Sequence, residues 1–239
     1  MTDVAGADEQ TLIYARELAR LQALRRAYEQ LLPAALDPSS PQDIKAEVRE
    51  ATVVFTDIRG FTGLSERMAA DPEALLAVIN AHFEVVVNAV NRTQGVVEKF
   101  VGDGALITFG ARVDQPDSGV RAISTAMAVI GANEMLNRRH SHEWGLRLDV
   151  GVGVAGGQVI VGRVGAPSRS ELGILGDPVN IAARLVARAG AGEVLIEASV
   201  FRGLGGSLRA DLLGPQAVRG RVGEIEVFRL PLLEPPAQS

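Results

Sequence analysis

From Val48 onwards, short apolar runs alternate with longer segments whose apolar residues recur at helical spacing. Residues 52–56 are typical of a buried strand, whereas 72–91 have the periodicity of a helix that packs on a core. Further strand-like runs occupy 96–100, 105–109, 147–154, 158–164, 194–197 and 224–230, and further helices are predicted at 118–138 and after Asp177. This alternation predicts an α+β domain, an α/β sandwich in which helices pack on a mixed sheet.

The composition of the 239-residue chain excludes several classes of function. The absence of cysteine excludes disulfides, thiol catalysis and thiolate zinc sites. A net charge of −5 argues against a nucleic-acid partner, because no excess of cationic side chains neutralises phosphates. The three histidines, His82, His140 and His142, form no metal-binding pattern, and we expect solvated or packing roles for them.

The first ten residues have neither the basic nor the apolar region of a secretory signal. No stretch reads as the run of about 20 apolar residues that a membrane span requires. We therefore expect a cytoplasmic protein without a membrane span.

Residues 1–33 predict an amphipathic helix that precedes the α+β domain. Its apolar stripe includes Tyr14, Leu18, Leu21, Arg25, Tyr28 and Leu32 at alternating steps of four and three. We favour a dimer-forming or signalling helix, although Arg25 weakens a zipper seam and the helix could instead pack on the domain. Pro33 ends the helix, residues 34–47 form a linker, and the tail 233–239 is expected to be disordered.

Two acidic residues each stand at the end of an apolar run with glycine nearby. Asp57 follows the run 53–56, and Asp103 lies in a tight turn between Gly102 and Gly104. Taken alone, each aspartate could simply be a residue that caps a turn at the end of a strand. Together they supply the oxygen ligands that Mg²⁺ prefers, with substrate phosphates completing the shell.

The segment after Asp57 is a candidate for phosphate binding. Gly60, Phe61 and Thr62 lead into a helix, so their backbone N–H groups can hold phosphate oxygens.

A third candidate segment contains the start of the helix predicted after Asp177. Asn180 and Arg184 are four residues apart and project from one face, while Ile181 and Leu185 anchor the neighbouring face. Arginine presents a fixed fork of donors to a phosphate, and asparagine can orient a sugar oxygen. The alternative is a solvated polar stripe on an amphipathic helix.

The motifs at 55–62, 99–103 and 176–184 closely resemble the class III adenylyl/guanylyl cyclase catalytic domain, in that family's order and spacing. The resemblance covers roughly Val48 to Leu230, and it implies a catalytic domain at residues 48–232. It implies a ferredoxin-like or palm-type mixed sheet flanked by helices. It also implies a head-to-tail homodimer with both active sites at the interface.

The resemblance implies a role for each motif residue. Asp57, Asp103 and the carbonyl of Ile58 would hold two Mg²⁺ or Mn²⁺ ions per active site. Asn180 and Arg184 of the partner chain would position the ribose and stabilise the transition state at the α-phosphate. No dedicated general base is evident, and we expect a metal-bound carboxylate such as Asp57, or solvent, to take the proton.

The resemblance also implies how the base and the triphosphate are recognised. Lys99 matches the base-selecting lysine that pairs with N1 of adenine, an acceptor that guanine lacks. Arg221 falls near the triphosphate-binding lysine of the family, although Arg219 could serve instead. Gly173 occupies the second base-selecting position, where adenylyl cyclases usually carry Asp, Thr or Ser. A lost contact of this kind is worth about 1–3 kcal/mol, so selectivity for ATP over GTP is expected to be modest.

Together, the motifs and the resemblance predict an adenylate cyclase that makes 3′,5′-cyclic AMP and pyrophosphate from ATP for signal transduction. One alternative is a cyclase with relaxed specificity that accepts GTP or a pyrimidine triphosphate. The other is a catalytically silent dimeric nucleotide-binding module. A regulatory partner that acts through the N-terminal helix is also possible.

Overall fold

The computed structural model describes residues 45–166, 169–206, 208–217 and 224–230. The predicted N-terminal helix, most of the linker, the tail, Arg219 and Arg221 therefore lie outside the described residues. Two compact units divide the chain, one of Met1–Ala46 with Gly162–Leu172 and a larger one of Glu47–Val161 with Gly173–Ser239.

Eight strands and five helices follow one another in the part of the chain that is described. The strands are β1 (Glu47–Ile58), β2 (Val96–Val101), β3 (Gly104–Phe109), β4 (Val150–Ala166), β5 (Arg169–Leu175), β6 (Val194–Glu197), β7 (Asp211–Ala217) and β8 (Glu224–Leu230). The helices are α1 (Phe61–Arg67), α2 (Pro72–Thr93), α3 (Ser118–Trp144), α4 (Asp177–Arg188) and α5 (Ala198–Gly203).

The strands form one mixed sheet in the order β2-β3-β1-β4-β6-β8-β7, with β5 paired to β4. β1 lies near its centre and is antiparallel to both β3 and β4. β4 and β6 are parallel, which makes the sheet mixed. The predicted α+β class with helices on a mixed sheet is confirmed.

Alternate residues of β1 face two separate cores. Val54 packs in a cluster with apolar residues of α2 and α3, such as Val86 and Val129. Val53 packs on the opposite face with residues of α4, such as Leu185. Both Val53 and Val54 have no exposed surface, which explains why this segment is a continuous apolar run rather than an alternating one.

Helix α2 has clear start and stop signals. The side chain of Asp71 accepts a hydrogen bond from the backbone N–H of Ala74 at 3.0 Å, and Pro72 stands in the first turn. The helix ends at Thr93, and its C-cap residue Gln94 has a φ of 58°, in the left-handed region. Among the described helices, α2 alone is long and apolar enough to cross a membrane by length and composition. Here its apolar face contributes to the core beside α3.

The sequence pattern missed several elements and split one strand into two. The runs 147–154 and 158–164 were predicted as separate strands, but β4 is a single strand of 17 residues. The helix expected after Gly60 is α1, whereas strands β5 and β7 and the short helix α5 were not predicted. Asp177 was predicted as the N-cap of its helix, whereas the N-cap is Gly176 and Asp177 is the first helical residue. A shift of one residue at a helix end is common.

Helix α4 lies directly against β4 at Gly153. A Cβ atom at this glycine would fall 2.3 Å from the carbonyl oxygen of Ala182 and 2.4 Å from the backbone nitrogen of Val186. Both neighbours are backbone atoms, which cannot rotate away as a side chain can.

We therefore expect Gly153→Ala to lower the free energy of unfolding by about 1–3 kcal/mol, because α4 must move off the sheet. Gly131→Ala on α3 is the matched control, since a Cβ there meets nothing within 4 Å and alanine favours a helix. Urea denaturation measures both variants. Equal stability of the two would contradict the close packing of α4 on β4.

Candidate active site

The two predicted acidic residues meet at one end of the sheet. Asp57 is the penultimate residue of β1, and Asp103 lies in the two-residue turn that joins β2 to β3. The Oδ2 atom of Asp103 accepts a hydrogen bond from the backbone N–H of Ile58 at 3.2 Å. The Asp103 carboxylate therefore lies against the backbone immediately after Asp57.

Two glycines make this approach possible. Gly102 has a φ of 62°, a left-handed conformation that lets the chain reverse within two residues. A Cβ atom at Gly104 would fall 2.3 Å from the carbonyl oxygen of Thr56 and 3.4 Å from Oδ1 of Asp57. The turn can approach β1 this closely only with glycine at position 104.

The environment of Asp57 disfavours its ionised form. Burial raises the pKa of this carboxyl above its usual value of 3.8, and the negative charge of Asp103 raises it further. The guanidinium of Arg59, which pairs with Oδ2 of Asp57, opposes this shift without cancelling it. The site thus holds two carboxylates that repel each other.

This donor set fits a divalent cation bound through oxygen. A cation between the two carboxylates would neutralise the repulsion that raises the pKa of Asp57. No group of three or more His, Cys, Asp or Glu side chains that could hold a metal ion occurs in the described part of the chain. The remaining ligands would have to be backbone carbonyls, water or substrate oxygens, which is the shell that Mg²⁺ commonly accepts.

The predicted phosphate-binding turn directly follows Asp57. Gly60 has a φ of 69° and is the N-cap residue of α1, and Phe61 and Thr62 form the first turn of that helix. Gly60 and Thr62 are exposed, and Phe61 packs partly against the core. The turn is therefore open beside the acidic pair, and its role in phosphate binding stays a prediction.

Lys99 is exposed on β2, and the residue before it is held by a buried ion pair. The pairing of β2 with β3 shifts register between Val97 and Lys99, as in a β-bulge. Glu98 accepts from Nε of Arg112 at 3.0 Å and from the Thr108 hydroxyl at 2.6 Å. The Glu98 and Arg112 side chains are only 6% and 5% exposed. This anchor orients the strand at Lys99.

Asn180 and Arg184 lie on α4, on the side away from its buried face. Asn180 is exposed and Arg184 is half-buried, whereas Ile181 and Leu185 are buried. Among the hydrogen bonds and ion pairs of the described residues, none joins Asn180 or Arg184 to Asp57. Gly173 is half-buried on β5. One chain therefore brings the acidic pair together but leaves the Asn–Arg pair outside that contact.

Two features of the site were missed by sequence reasoning. The ion pair of Glu98 with Arg112 joins residues fourteen positions apart, which no local pattern reveals. The same holds for the contacts of Arg59, which reach Val186 and Ala189 of another element. The only available signal was the position of Arg59 two residues after Asp57.

His82 has the packing role that was expected for a histidine. Its side chain is fully buried, and burial lowers its pKa. Nδ1 lies 3.0 Å from Oδ1 of Asn133, whose amide group donates to the carbonyl of Leu148. Nδ1 is therefore the donor of this neutral imidazole.

Comparison with known proteins gives a consistent result. A family model described as the adenylate and guanylate cyclase catalytic domain matches residues 44–231. An uncharacterized protein of Mycobacterium tuberculosis (strain ATCC 25618 / H37Rv) is 41% identical over 154 residues. That alignment covers 64% of this chain and 26% of the mycobacterial protein, so the chain spans about a quarter of such relatives.

Solved structures of both cyclase types share the fold. The adenylyl cyclase CyaB from P. aeruginosa gives a TM-score of 0.72 at 29% identity, covering 77% of this chain and 95% of that one. The guanylyl cyclase Cya2 gives a TM-score of 0.70 at 27% identity, covering 81% of this chain and 98% of that one. The likeness therefore does not distinguish ATP from GTP.

The raised pKa of Asp57 has a consequence for stability. The folded state binds a proton at Asp57 more tightly than the unfolded chain does, so ionised Asp57 destabilises the metal-free fold. The destabilisation by ionised Asp57 is absent when the pH is below the usual pKa of 3.8. It grows as the pH rises above that value and is complete above the raised pKa of the folded state.

We expect Asp57→Asn to raise the stability of the metal-free protein at pH 7 by less than about 1 kcal/mol, since the site is partly solvated. Asp114→Asn, at an exposed carboxylate, is the control and should show no gain. Thermal unfolding between pH 5 and pH 8 in EDTA measures the difference. A loss of stability in Asp57→Asn throughout this range would contradict the assigned repulsion.

Proposed function

Because the chain belongs to the family of adenylate and guanylate cyclase catalytic domains, we propose that it converts ATP into 3′,5′-cyclic AMP and pyrophosphate. The observation that carries this proposal is the contact between the Asp103 carboxylate and the backbone that follows Asp57. A pair of carboxylates in this position is suited to bind a metal–triphosphate complex.

Asp57, Asp103 and the carbonyl of Ile58 are proposed to hold two Mg²⁺ or Mn²⁺ ions. When bound, the ions supply positive charge to the triphosphate and lower the pKa of the ribose 3′-hydroxyl. The 3′-oxygen attacks the α-phosphorus in line, the bond to the bridging oxygen breaks, and pyrophosphate leaves. Asp57 or solvent receives the hydroxyl proton.

Asn180 and Arg184 are proposed to act on the substrate of the partner chain in a head-to-tail homodimer. Their outward position on α4 supports this arrangement, because no hydrogen bond or ion pair among the described residues joins them to Asp57 of their own chain. Asn180 would orient the ribose so that its 3′-oxygen faces the α-phosphorus. Arg184 would stabilise the negative charge that develops on the α-phosphate oxygens. The guanidinium fork suits this task because it offers two parallel donors.

The other contacts of the substrate are proposed from the remaining motif residues. The N–H groups of Gly60, Phe61 and Thr62 would hold phosphate oxygens, as would the Arg221 side chain or that of Arg219. Lys99 of the partner chain would pair with N1 of adenine. The bulge and the buried Glu98–Arg112 pair support Lys99 by restricting the backbone that carries it.

Gly173 favours a second candidate, a cyclase with relaxed base selection. Without a side chain, this position cannot accept a hydrogen bond from the adenine amino group. Lys99 is then the only proposed side chain that distinguishes adenine from guanine. The structural likeness to both an adenylyl and a guanylyl cyclase is compatible with this reading. A silent nucleotide-binding module is less well supported, because both acidic residues and the Asn–Arg pair are present. A cytoplasmic location and regulation through residues 1–33 complete the proposal.

Complementation tests the enzyme and its dimer together. Asp57→Ala and Arg184→Ala are each expected to lower kcat at least about 100-fold. Mixed in equal amounts, they should recover about a quarter of wild-type activity, since half of the dimers then contain one intact site of two. Mass spectrometry of the product with ATP and Mn²⁺ measures this recovery.

The matched control mixes Asp57→Ala with Asp103→Ala. Both lesions fall in the same half-site, so neither site of the mixed dimer is intact and no activity should return. Recovery in this control would contradict the shared-site dimer. A wild-type protein that makes no cyclic nucleotide from ATP or GTP would refute the proposed function.

Base selection has its own test. Gly173→Thr should raise the ratio of kcat/KM for ATP to that for GTP about tenfold, because the threonine hydroxyl accepts a hydrogen bond from the adenine amino group. Lys99→Ala should lower the same ratio. Parallel assays with ATP and GTP measure both ratios. An unchanged ratio in both variants would show that these positions do not read the base.

A further inference from the structure

Arg59 contacts both Asp57 and the end of α4, the helix that carries Asn180 and Arg184. Its Nη2 atom donates to Oδ2 of Asp57, the proposed metal ligand. Its Nη1 atom donates to the carbonyl oxygens of Val186 at 3.0 Å and Ala189 at 3.2 Å. Val186 belongs to the last turn of α4 and Ala189 is its C-cap residue. One guanidinium therefore joins the end of β1 to the end of α4.

The end of α4 is suited to bind a cation. The last carbonyl groups of a helix lack partners within the helix, and they form the negative end of its dipole. Arg59 supplies one donor to the carbonyl of Val186, which also accepts from the Ala189 N–H at 3.2 Å, and one to the carbonyl of Ala189. A fixed planar fork can hold the helix end and the Asp57 carboxylate at the same time, which a lysine ammonium cannot do with the same geometry.

The surroundings keep the Arg59 side chain in place. Its side chain is only 21% exposed, and its backbone N–H donates to the carbonyl of Asp149 at 2.7 Å. A Cβ atom at Gly151 would fall 3.3 Å from Nε of Arg59 and 3.0 Å from Cβ of Ala189. The guanidinium is thus enclosed between β4 and the end of α4.

We propose that Arg59 is a positioning residue that couples the metal-binding carboxylate to the helix that carries Asn180 and Arg184. The inference rests on the proposed function. In the proposed dimer, Asp57 serves the site of its own chain, whereas Asn180 and Arg184 serve the site of the partner. Arg59 therefore links the two active sites of one dimer through a single side chain.

The two contacts of Arg59 have opposite consequences. Its positive charge beside Asp57 opposes the binding of a cation, so the loss of that charge strengthens metal binding. Its bonds to α4 orient the helix, so their loss misplaces Asn180 and Arg184 and lowers turnover. A residue with a merely structural role would not strengthen metal binding when it is replaced.

Single variants separate charge from geometry. Arg59→Gln should tighten Mn²⁺ binding about three- to tenfold and lower kcat about tenfold. Arg59→Lys keeps the charge but loses the fork, so Mn²⁺ affinity should stay near that of the wild type while kcat falls. Arg49→Gln is the matched control, because Arg49 pairs only with its neighbour Glu47 on β1 in the described contacts. Electron paramagnetic resonance of Mn²⁺ added to the dimer measures affinity without turnover.

Mixed dimers assign each effect to one chain. One chain carries Asp103→Ala and supplies Asn180 and Arg184 to the working site, and the other carries Arg184→Ala and supplies both acidic residues. Arg59→Gln added to the first chain should lower kcat without changing the Mn²⁺ requirement. Added to the second chain, it should lower the Mn²⁺ concentration that gives half-maximal activity.

Several results would overturn the inference. One such result is an Arg59→Gln variant with unchanged Mn²⁺ affinity and unchanged kcat. Another is a mixed dimer in which Arg59→Gln lowers kcat equally from either chain and leaves the Mn²⁺ requirement unchanged. If the wild type makes no cyclic nucleotide, the proposed function fails by itself. The Mn²⁺ affinity of Arg59→Gln then tests the Asp57–Arg59 contact separately, and only a tighter value supports it.

Discussion

The rest of the structure depends on a central strand that is buried on both faces and ends in a carboxylate. Val53 and Val54 are fully enclosed by the two helical layers, and β1 pairs with β3 on one edge and with β4 on the other, so its register is held from both sides. This constraint fixes where Asp57 emerges at the end of the strand. The hairpin of β2 and β3 pairs with the same strand and brings Asp103 to the same point.

The acidic pair costs stability in the metal-free protein, and a bound cation would remove that cost. Burial and the nearby Asp103 raise the pKa of Asp57, and Arg59 relieves only part of the repulsion. Strained electrostatics of this kind are common at sites that bind a charged ligand, because the ligand supplies the missing charge. Arg59 pairs with Asp57, yet the pKa of Asp57 stays raised because burial and the charge of Asp103 outweigh this ion pair.

Local patterns predicted the elements whose burial is simple. The apolar run before Asp57, the periodicity of α2 and the tight turn around Asp103 each have a short-range signal, and the structure contains all three elements. Strands β5 and β7 were missed because each contains only one pair of adjacent apolar residues. The 17-residue β4 was split in two because Gly156 and Gly157 interrupt its apolar pattern. Its pairing with β1 nevertheless continues through both glycines.

The sequence by itself determined the fold class, the family and the identity of the candidate residues, because these depend on residue type and spacing along the chain. Only the tertiary structure decided which other residues contact the candidate site residues and hold them in place. The ion pair of Glu98 with Arg112 and the contacts of Arg59 with α4 join residues that are adjacent only after the sheet has formed. Such contacts leave no periodic signal, since their partners are chosen by strand register and helix packing rather than by sequence separation.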